Sequence, residues 1–109
     1  MGRLILVSLS IVVVTLLVVA GVGGETAGGK TGEELFKQHC AVCHPDGGNI
    51  VNPAKTLRKK VREASNIKKA EDIVKKMRNP GPGMLQFDKQ TIPDGDAGKI
   101  ADYILKTFN

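Results

Sequence analysis

From Thr31 to the end of the chain, apolar positions recur at three- and four-residue intervals and never alternate, so the pattern predicts helices and no strands. Leu35, Phe36 and Cys40 share one face of a first helix, which starts near Thr31 and carries on through Cys43-His44. Thr31 and Glu34 have capping-box spacing, in which each side chain satisfies a free backbone N–H at the other position. Pro45-Asp46-Gly47-Gly48-Asn49 then breaks the chain. A second helix is expected from Pro53 or Ala54 to Glu63, with Leu57 and Val61 as its buried pair, and a third from Ala70 to Arg78, with Ile73, Val74 and Met77 on its apolar face. Asn79-Pro80-Gly81-Pro82-Gly83 stops the third. The last helix runs from Asp94 to Phe108 on a stripe of Ile100, Tyr103, Ile104 and Phe108, with Asp94 and Asp96 at its positive end. The expectation is an all-α domain of about four helices.

The start of the chain follows different rules. Met1-Gly2-Arg3 is a short positive start, Leu4 to Ala20 is almost wholly apolar, and Val18-Val19-Ala20 offers small residues for cleavage. Residues 1–20 therefore read as a secretory signal peptide. The alternative is an uncleaved membrane anchor, for which the run is slightly short of the ~20 residues that span a bilayer. No cysteine closes the run, which excludes lipid attachment at a cleaved N-terminal cysteine. Residues 21–30 are glycine-rich and read as a flexible linker, leaving residues 31–109 as one small domain.

That domain is short of core-forming material. The chain has no tryptophan, one tyrosine and three phenylalanines, and so small a domain buries too little surface to be stable unaided. Charge is lopsided too: Lys55, Arg58, Lys59, Lys60, Arg62, Lys68, Lys69, Lys75, Lys76 and Arg78 crowd one stretch with only Glu63, Glu71 and Asp72 among them. Such a run forms solvated helix faces, or a positive surface that steers an acidic partner. It lacks the interleaved aromatics of a nucleic-acid surface.

Cys40-Ala41-Val42-Cys43-His44 supplies the chemistry. Cys-x-x-Cys-His is the attachment run of a c-type haem. At helical spacing the two thiols share a face and reach the two vinyl groups of one porphyrin, while His44 offers a neutral nitrogen to the iron. Rival readings are a thioredoxin-like redox pair, which lacks its strand–helix setting; half a zinc site, which lacks further cysteines; and a structural disulfide. Export supports the haem, which is joined to this motif outside the bacterial cytoplasm, and a buried porphyrin would supply the missing apolar centre. The chain without haem is expected to be largely unfolded.

Iron has a sixth position, for which Met84, Met77 and His39 compete. His39 precedes Cys40 and should point away from the haem face as an exposed histidine. Met77 sits in an apolar stripe, where methionine usually fills a core. Met84 follows a proline- and glycine-restricted turn that lets backbone lie close to a porphyrin, and histidine/methionine ligation recurs in cytochromes c. Met84 is the distal candidate. A thioether raises the reduction potential, and filling both axial positions leaves no site for substrate chemistry.

These residues, with Gly47 to Leu57 after the haem histidine, the turn ending at Met84, and the closing Ile100-Ala101-Asp102-Tyr103-Ile104, resemble the class I cytochromes c, and most closely the cytochrome c6 type. The likeness spans about Thr31 to Phe108. It implies the small cytochrome c fold around one covalently attached haem, with first and last helices crossing at Gly32 and Phe36 against Ile100 and Tyr103. It also implies a loop carbonyl orienting His44, for which Pro53 or Asn52 is the candidate. Met84 is followed by Leu85-Gln86-Phe87 rather than the family's usual Pro-x-aromatic, and Lys76 stands where that group often has glutamine.

The functional expectation is a monomeric, non-enzymatic monohaem cytochrome, carrying one electron at a time between redox proteins in a bacterial respiratory or photosynthetic chain. It would work in the periplasm, or tethered facing it, with Cys40 and Cys43 holding haem c, His44 proximal and Met84 distal on iron. Partners are redox proteins, acidic at the docking surface, and not nucleic acid. The alternatives are a haem-based ligand sensor with a labile sixth ligand, or an electron-transfer subunit of an oxidase or reductase.

Overall fold

The computed structural model describes residues 29–109, and every regular element among them is helical. In chain order these are α1 (Gly32–His39), a 3-10 turn (Pro45–Gly47), α2 (Lys59–Ala64), α3 (Ala70–Arg78) and α4 (Asp94–Thr107). The expected signal segment, and the linker up to residue 28, lie outside the described residues. No helix among the described residues is long and apolar enough to cross a membrane.

α4 is the axis of the domain, with α1 and α3 packed against it. Ala97, Ile100, Ala101 and Ile104 recur at three and four residues and all are buried, so one stripe of α4 serves both neighbours. α1 can come close only because residue 32 has no side chain. A Cβ there would overlap the Lys99 carbonyl oxygen and sit 3.0 Å from Tyr103 Cβ. Behind this contact Phe36 stacks at 5.3 Å from both Tyr103 and Phe108, whose own rings meet edge-on at 5.9 Å. Each such pair adds about 0.5–1.5 kcal/mol beyond area burial. The crossing implied by family resemblance is present, with Phe108 as an additional member.

Helix ends follow local chemistry. Thr31 accepts from the Glu34 N–H at 3.2 Å and Glu34 accepts from the Thr31 N–H at 2.8 Å, completing the expected capping box. These bonds hold the Glu34 carboxyl below its ordinary value of 4.5. At α3, Asp72 accepts from the N–H groups of Lys68 and Lys69, which lowers its pKa in the same way.

Two boundaries differ from the periodicity. α1 ends at His39, with Cys40 as its C-cap. The second helix begins at Lys59 rather than at Pro53 or Ala54, because the side chains of two asparagines take over the preceding loop. Asn49 Oδ1 accepts from Val51 and Asn52 at 2.9 and 2.8 Å, and its Nδ2 donates to Lys55 O at 3.0 Å. Asn52 Oδ1 accepts from Ala54, and the Leu57 N–H goes to Gly47 O at 2.7 Å. Donors committed to these partners cannot start a helical ladder. Leu57 consequently precedes α2, and it and Val61 are half-buried rather than a core pair.

Gly32→Ala is expected to destabilise the domain by about 1–3 kcal/mol, the usual cost of overpacking, since the obstacle is backbone and cannot rotate away. Thermal unfolding of the holo-protein checks this; an unchanged midpoint would mean the helices separate freely.

Candidate haem site

Cys40 ends α1 with its N–H on Phe36 O at 2.8 Å. Beyond it Cys43 and His44 both donate backbone N–H to Cys40 O, at 3.1 and 2.8 Å. The motif thus keeps helix-like spacing on a turn rather than on the helix that the sequence pattern predicts. All three side chains line one cavity of about 450 Å³.

His44 Nδ1 lies 2.7 Å from Gly48 O. A carbonyl can only accept, so Nδ1 carries the proton and Nε2 keeps a lone pair free for a metal. The acceptor is neither Pro53 nor Asn52. Asp46 and Gly47 take positive φ values of 51° and 78°, reversing the chain at once and bringing Gly48 back beside the imidazole.

Cys40 is buried and Cys43 half-buried, and neither is in a disulfide. Burial pushes the Cys40 thiol up to about 11. It is no ready thiolate at neutral pH, which opposes the thiol-exchange reading.

Leu57, Val61, Ile73 and Ile104 supply the apolar wall, and Gly81 to Leu85 form another side. Gly83 has φ 89°, and a Cβ on it would stand 3.0 Å from Val51 Cγ1. Only glycine suits that turn, which delivers Met84, half-buried, to the cavity. Met77 fills the core as expected, at 3% exposed, while also touching the cavity. His39 differs from its reading as an exposed residue. It is half-buried, edge-on to Phe87 at 6.1 Å, and lies on the cavity wall, because Phe87 arrives from a distant part of the chain.

Two arginines escaped sequence reasoning. Arg78 fastens the Met84 segment: Nη1 donates to Phe87 O at 3.1 Å, its own carbonyl accepts from Gln86 Nε2 at 2.8 Å, and Nη2 pairs with Asp94 Oδ1 at 2.9 Å. Phe87 N–H adds a bond to Met77 O at 2.9 Å. Arg62 is buried within the core and touches the cavity. The other eight basic residues of the Lys55–Arg78 stretch are exposed. Residue type gave no signal for these two, since Arg58 in the same run is exposed.

Two free thiols, an imidazole with Nε2 presented and a thioether around an apolar cavity are the donor set that one haem takes. Among the described residues no cluster of histidine, cysteine and carboxylates could hold a bare metal ion. The family model for cytochrome c oxidase, cbb3-type, subunit III matches residues 27–104.

The chain belongs to the class I c-type cytochromes. It is a monohaem cytochrome of an electron-carrying family, and its cofactor is one covalently bound haem c with its iron. Cytochrome c6 of Cyanidium caldarium is 36% identical over 74 residues, covering 68% of this cytochrome and 66% of that relative, just under two thirds of its length. Cytochrome c6 of Cyanidioschyzon merolae is also 36% identical, over 68% of this chain and 69% of its own. The solved structure of OmcF, outer membrane cytochrome F from Geobacter sulfurreducens, is 50% identical, with a TM-score of 0.70 over 72% of this cytochrome and 99% of that chain.

Asp94 is held below its ordinary 3.8, first by the Arg78 hydrogen bond and then by Lys89. Its contribution to stability is therefore present above pH 3.8 and lost as pH falls through the lowered value. Arg78→Gln is expected to lower stability across the neutral range and to flatten part of this acid loss, as read by chemical unfolding at several pH values. An acid limb of unchanged steepness would show that the pair contributes nothing.

Proposed function

We propose that this cytochrome carries single electrons between redox proteins outside the cytoplasm, in a bacterial respiratory or photosynthetic chain. Cys40 and Cys43 hold the haem by thioether bonds, His44 Nε2 is the proximal ligand and Met84 the distal one. The observation that carries this reading is that His44 and Met84 line the same cavity. With His44 and Met84 both holding the iron, a bound haem would exchange single electrons without taking a substrate, which makes the protein a carrier rather than an enzyme. The haem supplies the ferric/ferrous couple. The protein excludes water, fixes the imidazole through Gly48 and holds Met84 through the Arg78 tie.

Export rests on residues 1–20 read as a signal, removed to free a monomer in the periplasm or retained as a tether. The relative named outer membrane cytochrome F supports a position at a membrane. A second reading, an electron-transfer subunit of a terminal oxidase, is favoured by the subunit description of the matching family. The absorption spectrum of the protein matured in a haem-loading host decides the ligation. A low-spin c-type spectrum with the weak red band of ferric iron–thioether bonding is expected. Met84→Ala should abolish that band and let the reduced protein bind carbon monoxide. A wild-type spectrum already high-spin, or rapid carbon monoxide binding by wild type, would move the reading to a sensor with a labile sixth ligand.

Docking is assigned to the cavity mouth. Val42, Val51 and Leu85, 73%, 57% and 71% exposed, border it, and exposed Lys55 and Lys76 stand on the same wall. An apolar edge with cations suits a transient, acidic partner. Oxidation by hexacyanoferrate(III), a small anion, should slow as ionic strength rises, and Lys55→Glu with Lys76→Glu should slow it several-fold at low salt. A rate independent of salt would remove the steering role.

A further inference from the structure

His44 owes its orientation to Gly48 O, 2.7 Å from Nδ1, yet the turn that presents this oxygen cannot hold itself in place. Gly47 and Gly48 have no side chains, so their backbone lies where the surrounding packing puts it. Gly47 is buried. Its N–H donates to His44 O at 3.1 Å and its carbonyl accepts from the Leu57 N–H at 2.7 Å. The ring of Phe108 lies so close over its Cα that a Cβ there would overlap the ring. Phe108 is itself fixed from three helices. It caps α4 with its N–H on Ile104 O at 3.0 Å, its ring meets Phe36 of α1 at 5.3 Å, and its carbonyl accepts from the N–H of Lys59, the first residue of α2, at 3.0 Å. The side chain is 5% exposed and is not on the wall of the haem cavity, to which α4 contributes Ile104. Its route to the iron ligand therefore runs through Gly47 and Gly48.

We infer that Phe108 is a positioning residue for the proximal ligand: its ring holds the Gly47–Gly48 turn against His44, keeps the Nδ1–H bond to Gly48 O short, and through that bond sets the reduction potential. A hydrogen bond donated by the far nitrogen of a ligating imidazole makes the ring a stronger donor to the metal, which favours ferric iron. With the Phe108 ring removed the turn relaxes, the bond lengthens, the imidazole donates less, and the potential rises. Plain loosening of the domain acts with the opposite sign, because water let in beside the haem favours the ferric state, whose iron carries one more positive charge. The direction of the shift thus separates the two roles. The inference rests on haem occupying this cavity with His44 on its iron, and adds to that reading the residue that governs the ligand's own hydrogen bond.

The test compares wild type, Phe108→Leu and Tyr103→Leu, matured in a haem-loading host, with haem content and the red band checked first. Absence of covalent haem in wild type would end the haem reading itself and is seen before any potential is measured. Phe108→Leu keeps an apolar residue but loses the flat ring over Gly47. It is expected to raise the equilibrium constant for reduction at least threefold and to speed exchange of the His44 Nδ1 proton with water at least tenfold, as read by proton NMR of the reduced protein. Tyr103→Leu removes a ring from the same aromatic cluster and leaves Phe108 in place, so it should lower the thermal midpoint while holding both readouts within twofold. An unchanged or lowered equilibrium constant in Phe108→Leu, an unmoved exchange rate, or equal shifts in Tyr103→Leu would leave Phe108 a core filler only. A second measurement needs no variant. In wild type under mild denaturant, the His44 Nδ1 proton and the Lys59 N–H, which is bonded to Phe108 O, should exchange in one opening event. Exchange at His44 while Lys59 stays protected would overturn the coupling.

Discussion

Gly32 presents bare backbone to the Lys99 carbonyl, and the distance this permits between first and last helices governs what the rest of the chain can do. With α1 seated so closely, Phe36 reaches between Tyr103 and Phe108, and the end of α1 is fixed relative to α4. Cys40 caps that end, so the Cys40–His44 run starts directly from this junction. The short turns that follow place His44 without a further helix. A side chain at residue 32 would displace the aromatic cluster and, with it, the end of α1 that Cys40 caps.

The cavity is assembled from helices and from loops without regular structure. α1 and α4 contribute through the crossing, and α3 through Ile73 and Met77, both in the core. The Met84 segment has no regular structure and depends on Arg78, Gln86 and Phe87 for its hold. Loops that carry functional side chains generally sit at the less stable end of a fold. Here the tie runs from α3 across the loop to Asp94 at the start of α4, so the Met84 segment is fastened to both helices that flank it.

Much of this was legible in the sequence, and the limits have physical causes. α3 was read to the residue and α4 to within one, because each combines a clean apolar stripe with a proline-rich boundary. The capping box at Thr31 and Glu34 was equally plain, since both partners lie within one turn. α2 was read too early because asparagine side chains compete with helical hydrogen bonding, and nothing in a composition pattern says which way that contest goes. The Cys-x-x-Cys-His run and Met84 were singled out by residue type, and the cavity gathers all four. The acceptor for His44 was misplaced because it depends on a two-residue reversal at Asp46 and Gly47. Burial of Arg62 and the partnership of His39 with Phe87 are long-range facts, and arginine and histidine are solvent-facing by default.

Covalent attachment also bears on what unfolding can do to the protein. Cys40, 9% exposed, lines the cavity at the end of α1, and the haem of this cytochrome is bound covalently, a link that outlasts the fold. Every later unfolding event leaves haem and chain joined, so the domain refolds around its own centre and never has to find one by diffusion.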